Sequence, residues 1–161
     1  MKSVLVLLCW LGAARADTIE LPKTKAHLVL GAGWHEVATK GVVAAYKHDR
    51  GSLLAVTRAD VPNPDAWVAD KRQAYVDQLE KGLRAKLAVK RVAKKKLIDA
   101  NGVPGLDVEA RRDNGATVIV RVLLFRTYAL SVAIEVPKGG DVGAARAIAK
   151  ALTPPREPDD D

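Results

Sequence analysis

The chain has 161 residues, with 26 Lys or Arg against 19 Asp or Glu, a formal charge of +7. Its single cysteine, Cys9, excludes an intramolecular disulfide and any cysteine-built metal site, so the fold must be held by an apolar core. A chain of this length buries roughly two-thirds of its unfolded surface, enough for one ordinary domain.

The N-terminal MKSVLVLLCWLGAARAD has Lys2 as a basic start, an apolar run from Val4 to Leu11, and small residues ending in Ala14-Arg15-Ala16. This is the pattern of a secretory signal peptide over residues 1–16, cleaved between Ala16 and Asp17. Eight apolar residues fall well short of the roughly 20 that a membrane-spanning helix needs. Cys9 lies inside the apolar run and not at the cleavage position, which argues against a lipid anchor. The expectation is an exported protein, periplasmic or secreted. Removal of Lys2 and Arg15 leaves 24 basic and 19 acidic residues, a formal charge of +5.

Residues 41–60, GVVAAYKHDRGSLLAVTRAD, read as two strands joined by Asp49-Arg50-Gly51, where Gly51 supplies the positive φ of a short hairpin loop. In VPNPDAW, Asn63 is a good N-cap, Pro64 suits the first helical position, and Asp65 favours the positive end of the helix dipole. Val68, Tyr75, Leu79, Leu83 and Leu87 then recur as one stripe, with Asp77–Lys81 and Glu80–Arg84 as i,i+4 pairs on the wet side. Four more strands follow, at about 89–99, 105–112, 116–125 and 128–136, with Asp113-Asn114-Gly115 as the turn between the second and third. Asp141 caps a final helix in which Val142, Ala145, Ile148, Ala149 and Leu152 share a face. Residues 153–161, TPPREPDDD, lack an apolar anchor and are expected to be a disordered acidic tail.

The most informative stretch is RVLLFRTYALSVAIEVP, which begins at Arg121. A turn at Arg126-Thr127 would place Phe125 opposite Tyr128 and Leu123 opposite Leu130 on one face. Leu124 with Ala129, Val122 with Ser131 and Val120 with Ala133 would then occupy the other. Both faces are apolar, so both must be covered, and there are two helical stripes to cover them. The fold class is therefore α+β: an α/β/α sandwich with a central antiparallel sheet, order β-β-α-β-β-β-β-α, in a single domain over 17–152.

Trp34 after a Gly-rich start, AAYKHDRGSLLAVTRAD leading into a long helix, NGVPGLDVEARR, RVLLFRTYALSVAIEVP and the terminal ARAIAKAL together resemble the PsbP-like fold superfamily. That superfamily includes the extrinsic photosystem II subunit, the Ran guanine-nucleotide release factor and DcrB-type bacterial envelope proteins. The resemblance covers most of residues 17–152 and rests on core and turn residues, with no shared functional residue to carry over. It implies a noncatalytic binding or assembly factor.

No catalytic or metal motif stands out. GAGWHE puts Glu36 where a dinucleotide loop needs its third glycine. His27, His35 and His48 lack metal-ligand spacing, and Ser52 and Ser131 lie outside any nucleophile motif. No cofactor or metal is expected. The strongest candidate for contact is the segment 81–96, with eight basic residues and no acid. Within it Lys86, Lys90, Arg91, Lys94, Lys95 and Lys96 form a candidate docking surface for an envelope protein, an anionic polymer or lipid headgroups. The plainer reading is that these lysines guard an open sheet edge. Nucleic acid is disfavoured, since the segment carries no aromatic residue on which bases could stack. The leading expectation is an exported noncatalytic accessory binding or assembly factor of the bacterial envelope. The alternatives are a small-molecule or lipid carrier with a pocket lined by Trp34, Trp67, Phe125 and Tyr128, and a hydrolase using His48.

Overall fold

The computed structural model describes residues 16–60 and 69–154. Residues 1–15 of the expected signal peptide, the Asn63 cap, Trp67, Val68, the Tyr75 side chain and residues 155–161 lie outside them.

Nine strands and two helices run in the order β1 (Asp17–Glu20), β2 (His27–Leu30), β3 (Trp34–Glu36), β4 (Ala44–His48), β5 (Leu53–Asp60), α1 (Ala69–Leu87), β6 (Arg91–Ala100), β7 (Val103–Arg111), β8 (Thr117–Leu124), β9 (Tyr128–Val136) and α2 (Val142–Lys150). From β4 onward this is the order read from the sequence. Three short strands precede it, because runs of three or four residues leave little periodicity to detect. Seven strands form one antiparallel sheet, ordered β3-β4-β5-β9-β8-β7-β6, and β1 pairs with β2 in a separate ribbon.

The hairpin chemistry explains the sheet order. Gly51, at φ +86°, lets the Gly51 N–H reach the His48 carbonyl at 2.8 Å and returns β5 along β4. Asn101-Gly102 makes an equally short link between β6 and β7, and the Asp99 carboxylate accepts the Gly102 N–H at 2.7 Å. At the β7–β8 turn, the Asn114 side chain accepts the Ala116 N–H at 3.0 Å. The β8–β9 register is the one the side-chain alternation predicts: Leu123 faces Leu130, Val122 faces Ser131 and Val120 faces Ala133.

The central ribbon is covered on both faces. Every residue of β8 is buried. One face packs Leu54, Val56, Ile119, Leu123, Leu130, Val132 and Ile134 under α2, through Ala145 and Ala149. The other packs Leu106, Val108, Val118, Val120 and Val122 against Leu79, Leu83 and Leu87 of α1. The molecule is thus an α/β/α sandwich, with one outer layer thickened. The β1–β2 ribbon lies beside α2 and buries Leu21, Ala26, Leu28 and Leu30 in the same core. His27 N–H donates to the Thr153 carbonyl at 3.0 Å, and Thr153 N–H returns a bond at 2.9 Å. Thr153 and the buried Pro154 therefore belong to the folded body and not to the tail.

Candidate functional site

β6 is an edge strand, so it presents one side of its backbone to no other strand among the described residues. A bulge between Val92 and Lys94 interrupts its ladder with β7, and lysines and bulges both discourage pairing with other chains. The pleat also divides the basic residues between two faces, so they do not form one patch.

Lys95 turns toward α1, where its ammonium lies 2.7 Å from Glu80 and 3.9 Å from Asp77. Arg84 holds the same Glu80 at 2.8 Å as the i,i+4 partner expected from the sequence. Hydrogen bonds from Lys95 first, and then from Arg84, hold the Glu80 carboxyl below its ordinary range, and the bond to Glu80 raises Lys95. Lys90 pairs with Asp113 at 3.2 Å, and Lys86 lies in the last turn of α1.

Arg91, Lys94 and Lys96 share the opposite face, set by their cross-strand partners Arg111, Glu109 and Asp107. Glu109 and Asp107 would be natural partners for the two lysines, yet both are engaged elsewhere. Asp107 accepts two hydrogen bonds from Arg121, each 2.8 Å. Glu109 accepts two from Arg146 on α2, at 2.9 and 3.0 Å. Bidentate guanidinium forks fit carboxylates better than an ammonium does. Lys94 and Lys96 are left without an acidic partner among the described residues. Between β6 and α2 runs a groove of about 200 Å³, lined by Ile119 and Ala149 and by the strand segments at Val108 and Val120, whose side chains pack toward α1, with Lys94, Lys96 and Lys150 among its rim. Five cations (Lys94, Lys96, Arg121, Arg146, Lys150) face two carboxylates (Asp107, Glu109) there, a surplus of three positive charges. Arg146 and Lys150 were not singled out in the sequence, although their i,i+4 spacing on the last helix was visible.

Arg121 is a buried charged residue on β8, inside the sheet. Besides Asp107 it donates to the Lys150 carbonyl at 3.1 Å. The buried guanidinium thereby ties the last turn of α2 to β7 and β8, and so fixes one wall of the groove.

Of the aromatic residues read as a carrier pocket, the three among the described residues, Trp34, Phe125 and Tyr128, fall at two separate places. Trp34 packs edge-on against His48, with ring centroids 5.1 Å apart, near the end of β9 that holds Val136. Phe125 and Tyr128 stack at 4.5 Å at the other end, with the Arg58 guanidinium 4.4 Å above the Tyr128 ring. The nine residues of β9 separate these ends by about 26 Å. The two aromatic groups therefore cannot line one small pocket. Phe125 is buried in the core.

The histidines are also apart in role. Asp49, adjacent to His48 in sequence, pairs with His35 at 2.8 Å. His48 Nδ1 accepts the Arg50 backbone N–H at 3.0 Å, which occupies the lone pair a general base would use and leaves the proton on Nε2 in the neutral ring. Ser131 hydrogen-bonds to Thr57 across the β5–β9 pair at 2.7 Å. Among the described residues, no three of His, Cys, Asp and Glu gather to hold a metal ion, and no helix is long and apolar enough to cross a membrane.

No family model and no curated protein matches the chain. Solved structures do. The solution structure of cyanobacterial PsbP (CyanoP) from Synechocystis sp. PCC 6803 superposes with a TM-score of 0.62 at 12% identity, over 89% of this chain and 92% of that one. A crystal structure from Bacteroides thetaiotaomicron gives 0.49 at 11% identity, over 82% of this chain and 46% of that one. A protein of unknown function from Pseudomonas aeruginosa gives 0.41 at 14% identity, over 89% and 99%. Identities this low establish architecture alone, and it is that of the first of these structures: the chain has a PsbP-like fold.

Proposed function

We propose that this protein is an exported, noncatalytic accessory binding or assembly factor of the bacterial cell envelope. It docks through the β6–α2 groove on an acidic segment of a partner protein. The observation that carries the reading is the pairing at Asp107 and Glu109. Edge protection alone accounts for lysines on β6, but it gives no reason for both facing carboxylates to be taken by arginines while Lys94 and Lys96 stay uncommitted. The cationic rim around an apolar floor suits a protruding segment that carries acids beside one apolar side chain, better than it suits the flat surface of a bilayer. The noncatalytic role follows the family resemblance, and the engaged lone pair of His48 is consistent with it.

The affinity should be low. At roughly 1 kcal/mol for each cation near an anionic surface, Lys94, Lys96 and Lys150 supply about 3 kcal/mol, which alone corresponds to a dissociation constant of several millimolar. An acidic synthetic peptide with one central Leu, titrated into labelled protein, should shift amide resonances along β6 and α2. The Lys94→Ala/Lys96→Ala protein should bind it roughly thirtyfold more weakly, from the loss of about 2 kcal/mol. Shifts confined to other elements would refute the surface. Phosphatidylglycerol vesicles that shift the same residues while the peptide does not would reassign the partner to lipid.

A further inference from the structure

A second concavity lies at the far end of the sheet and shares no residue with the groove. The β4–β5 loop brings His48, Arg50 and Ser52 to one side of it, and the segment between β9 and α2 brings Pro137, Lys138, Gly139, Gly140 and Asp141 to the other. Trp34, Ala144, Ala145 and Ile148 complete a cleft of about 450 Å³, within the range of small-molecule sites. Only glycine fits at position 140, since a Cβ there would lie 2.7 Å from Val136 Cγ1 and 3.1 Å from the Pro137 carbonyl oxygen. The tight return of the chain at this point sets Lys138 across from the hairpin loop.

Three residues that line this cleft carry donors without a protein partner among the described residues, the Lys138 stem lying over Gly115 and His48 Nε2 beside Gly33. Arg50 and Lys138 come from separate segments, and neither is engaged by a carboxylate; Asp49, the acid beside Arg50, belongs to His35. The third is His48 Nε2–H, protonated in the neutral ring because Nδ1 accepts the Arg50 backbone N–H. The one acid in the lining, Asp141, is directed into the helix, where its Oδ1 accepts the Ala144 N–H at 2.8 Å. Two cations and a fixed neutral donor thus oppose one carboxylate that is already committed. Trp34 and Ile148 add apolar wall beside them.

We propose that this cleft binds a small organic anion. Its carboxylate or phosphate sits between Arg50, Lys138 and His48 Nε2–H, and its apolar body lies against Trp34 and Ile148. Bidentate recognition by Arg50, with Lys138 as a point charge, is the usual chemistry for such a group. The proposal does not depend on the docking groove. Of the three aromatic residues of the carrier reading that lie among the described residues, it keeps Trp34.

Phenyl phosphate titrated into the full chain should give saturable shifts of the Trp34 indole and His48 ring resonances. Arg50→Ala/Lys138→Ala, which alters two exposed side chains, should weaken that binding at least tenfold without lowering the melting temperature. Lys94→Glu/Lys96→Glu should bind phenyl phosphate like the unaltered protein, which separates this site from the docking surface. Benzyl alcohol should bind at least tenfold more weakly, for want of the charge, and inorganic phosphate likewise, for want of the ring. The proposal is overturned by equal binding to the Arg50→Ala/Lys138→Ala protein, by equal binding of either control compound, or by the absence of saturable shifts at Trp34 and His48.

Discussion

Replacing Asp107 by Ala tests the charge arrangement on which the groove depends. The Arg121 side chain is 10% exposed and Asp107 30% exposed, so the substitution strands a guanidinium that water reaches poorly. Breaking a buried pair by removing one partner costs about 3–5 kcal/mol. The partial exposure of Asp107 and the remaining bond to the Lys150 carbonyl put the expected loss at the lower end, about 3 kcal/mol. For a chain of this size that lowers the melting temperature by roughly 6–12 °C. Arg121→Met should cost less, about 1 kcal/mol, because the bereft carboxylate is partly wet and has Lys96 directly across the strand pair. The double variant should return to within about 1 kcal/mol of the unaltered protein, since an uncharged pair no longer carries a desolvation penalty. Thermal and denaturant unfolding of the four proteins measures the cycle. A loss under about 1 kcal/mol for Asp107→Ala, or simple additivity in the double variant, would refute the claim that this pair is desolvated and coupled.

Two further outcomes follow from the packing. Leu130 is fully buried in the α2-side core, and Leu130→Ala should cost about 2–5 kcal/mol in denaturant unfolding; a smaller loss would mean that this face is not close-packed. Glu80 is held below its ordinary range by Lys95 and Arg84, so its contribution is present above the unfolded carboxylate pKa and is lost as pH falls through the folded value. Glu80→Gln should therefore lower stability at pH 7 by no more than about 1 kcal/mol, and the two proteins should converge in stability as the pH falls below the ordinary carboxylate range. A difference that persists or grows in acid would contradict the sign.

The architecture was legible where residue pattern and turn chemistry agreed. Apolar residues on both faces of 118–136, with Arg126-Thr127 between them, predicted a β8–β9 ribbon buried on both sides and its register. The Asp113-Asn114-Gly115 and Asp141 signals marked a turn and a helix start that the structure contains. The β1–β2 ribbon was not legible, because His27–Leu30 is four residues long and its burial depends on α2 and Thr153, more than 110 positions away in sequence. The candidate surface was legible only as composition. The density of lysines in 81–96 was plain, but a strand sends alternate side chains to opposite faces, and Lys95 went to Glu80 while Lys94 and Lys96 went to the groove. That Asp107 and Glu109 would be claimed by Arg121 and Arg146 depends on tertiary contacts that span 14 and 37 positions. The cleft beside Trp34 joins residues 34, 50 and 138, a juxtaposition that no local motif records.

In the proposed function, one face of the β6 edge meets an acidic partner. The most direct measurement is site-specific photo-crosslinking in the native envelope from position 93, exposed in the β6 bulge, compared with position 81, exposed on α1. Docking through this face should give a discrete adduct with an acidic protein from position 93 alone, lost in high salt and in the Lys94→Glu/Lys96→Glu background. Adducts of equal yield from both positions, or an adduct from position 93 that survives the charge reversal, would contradict it.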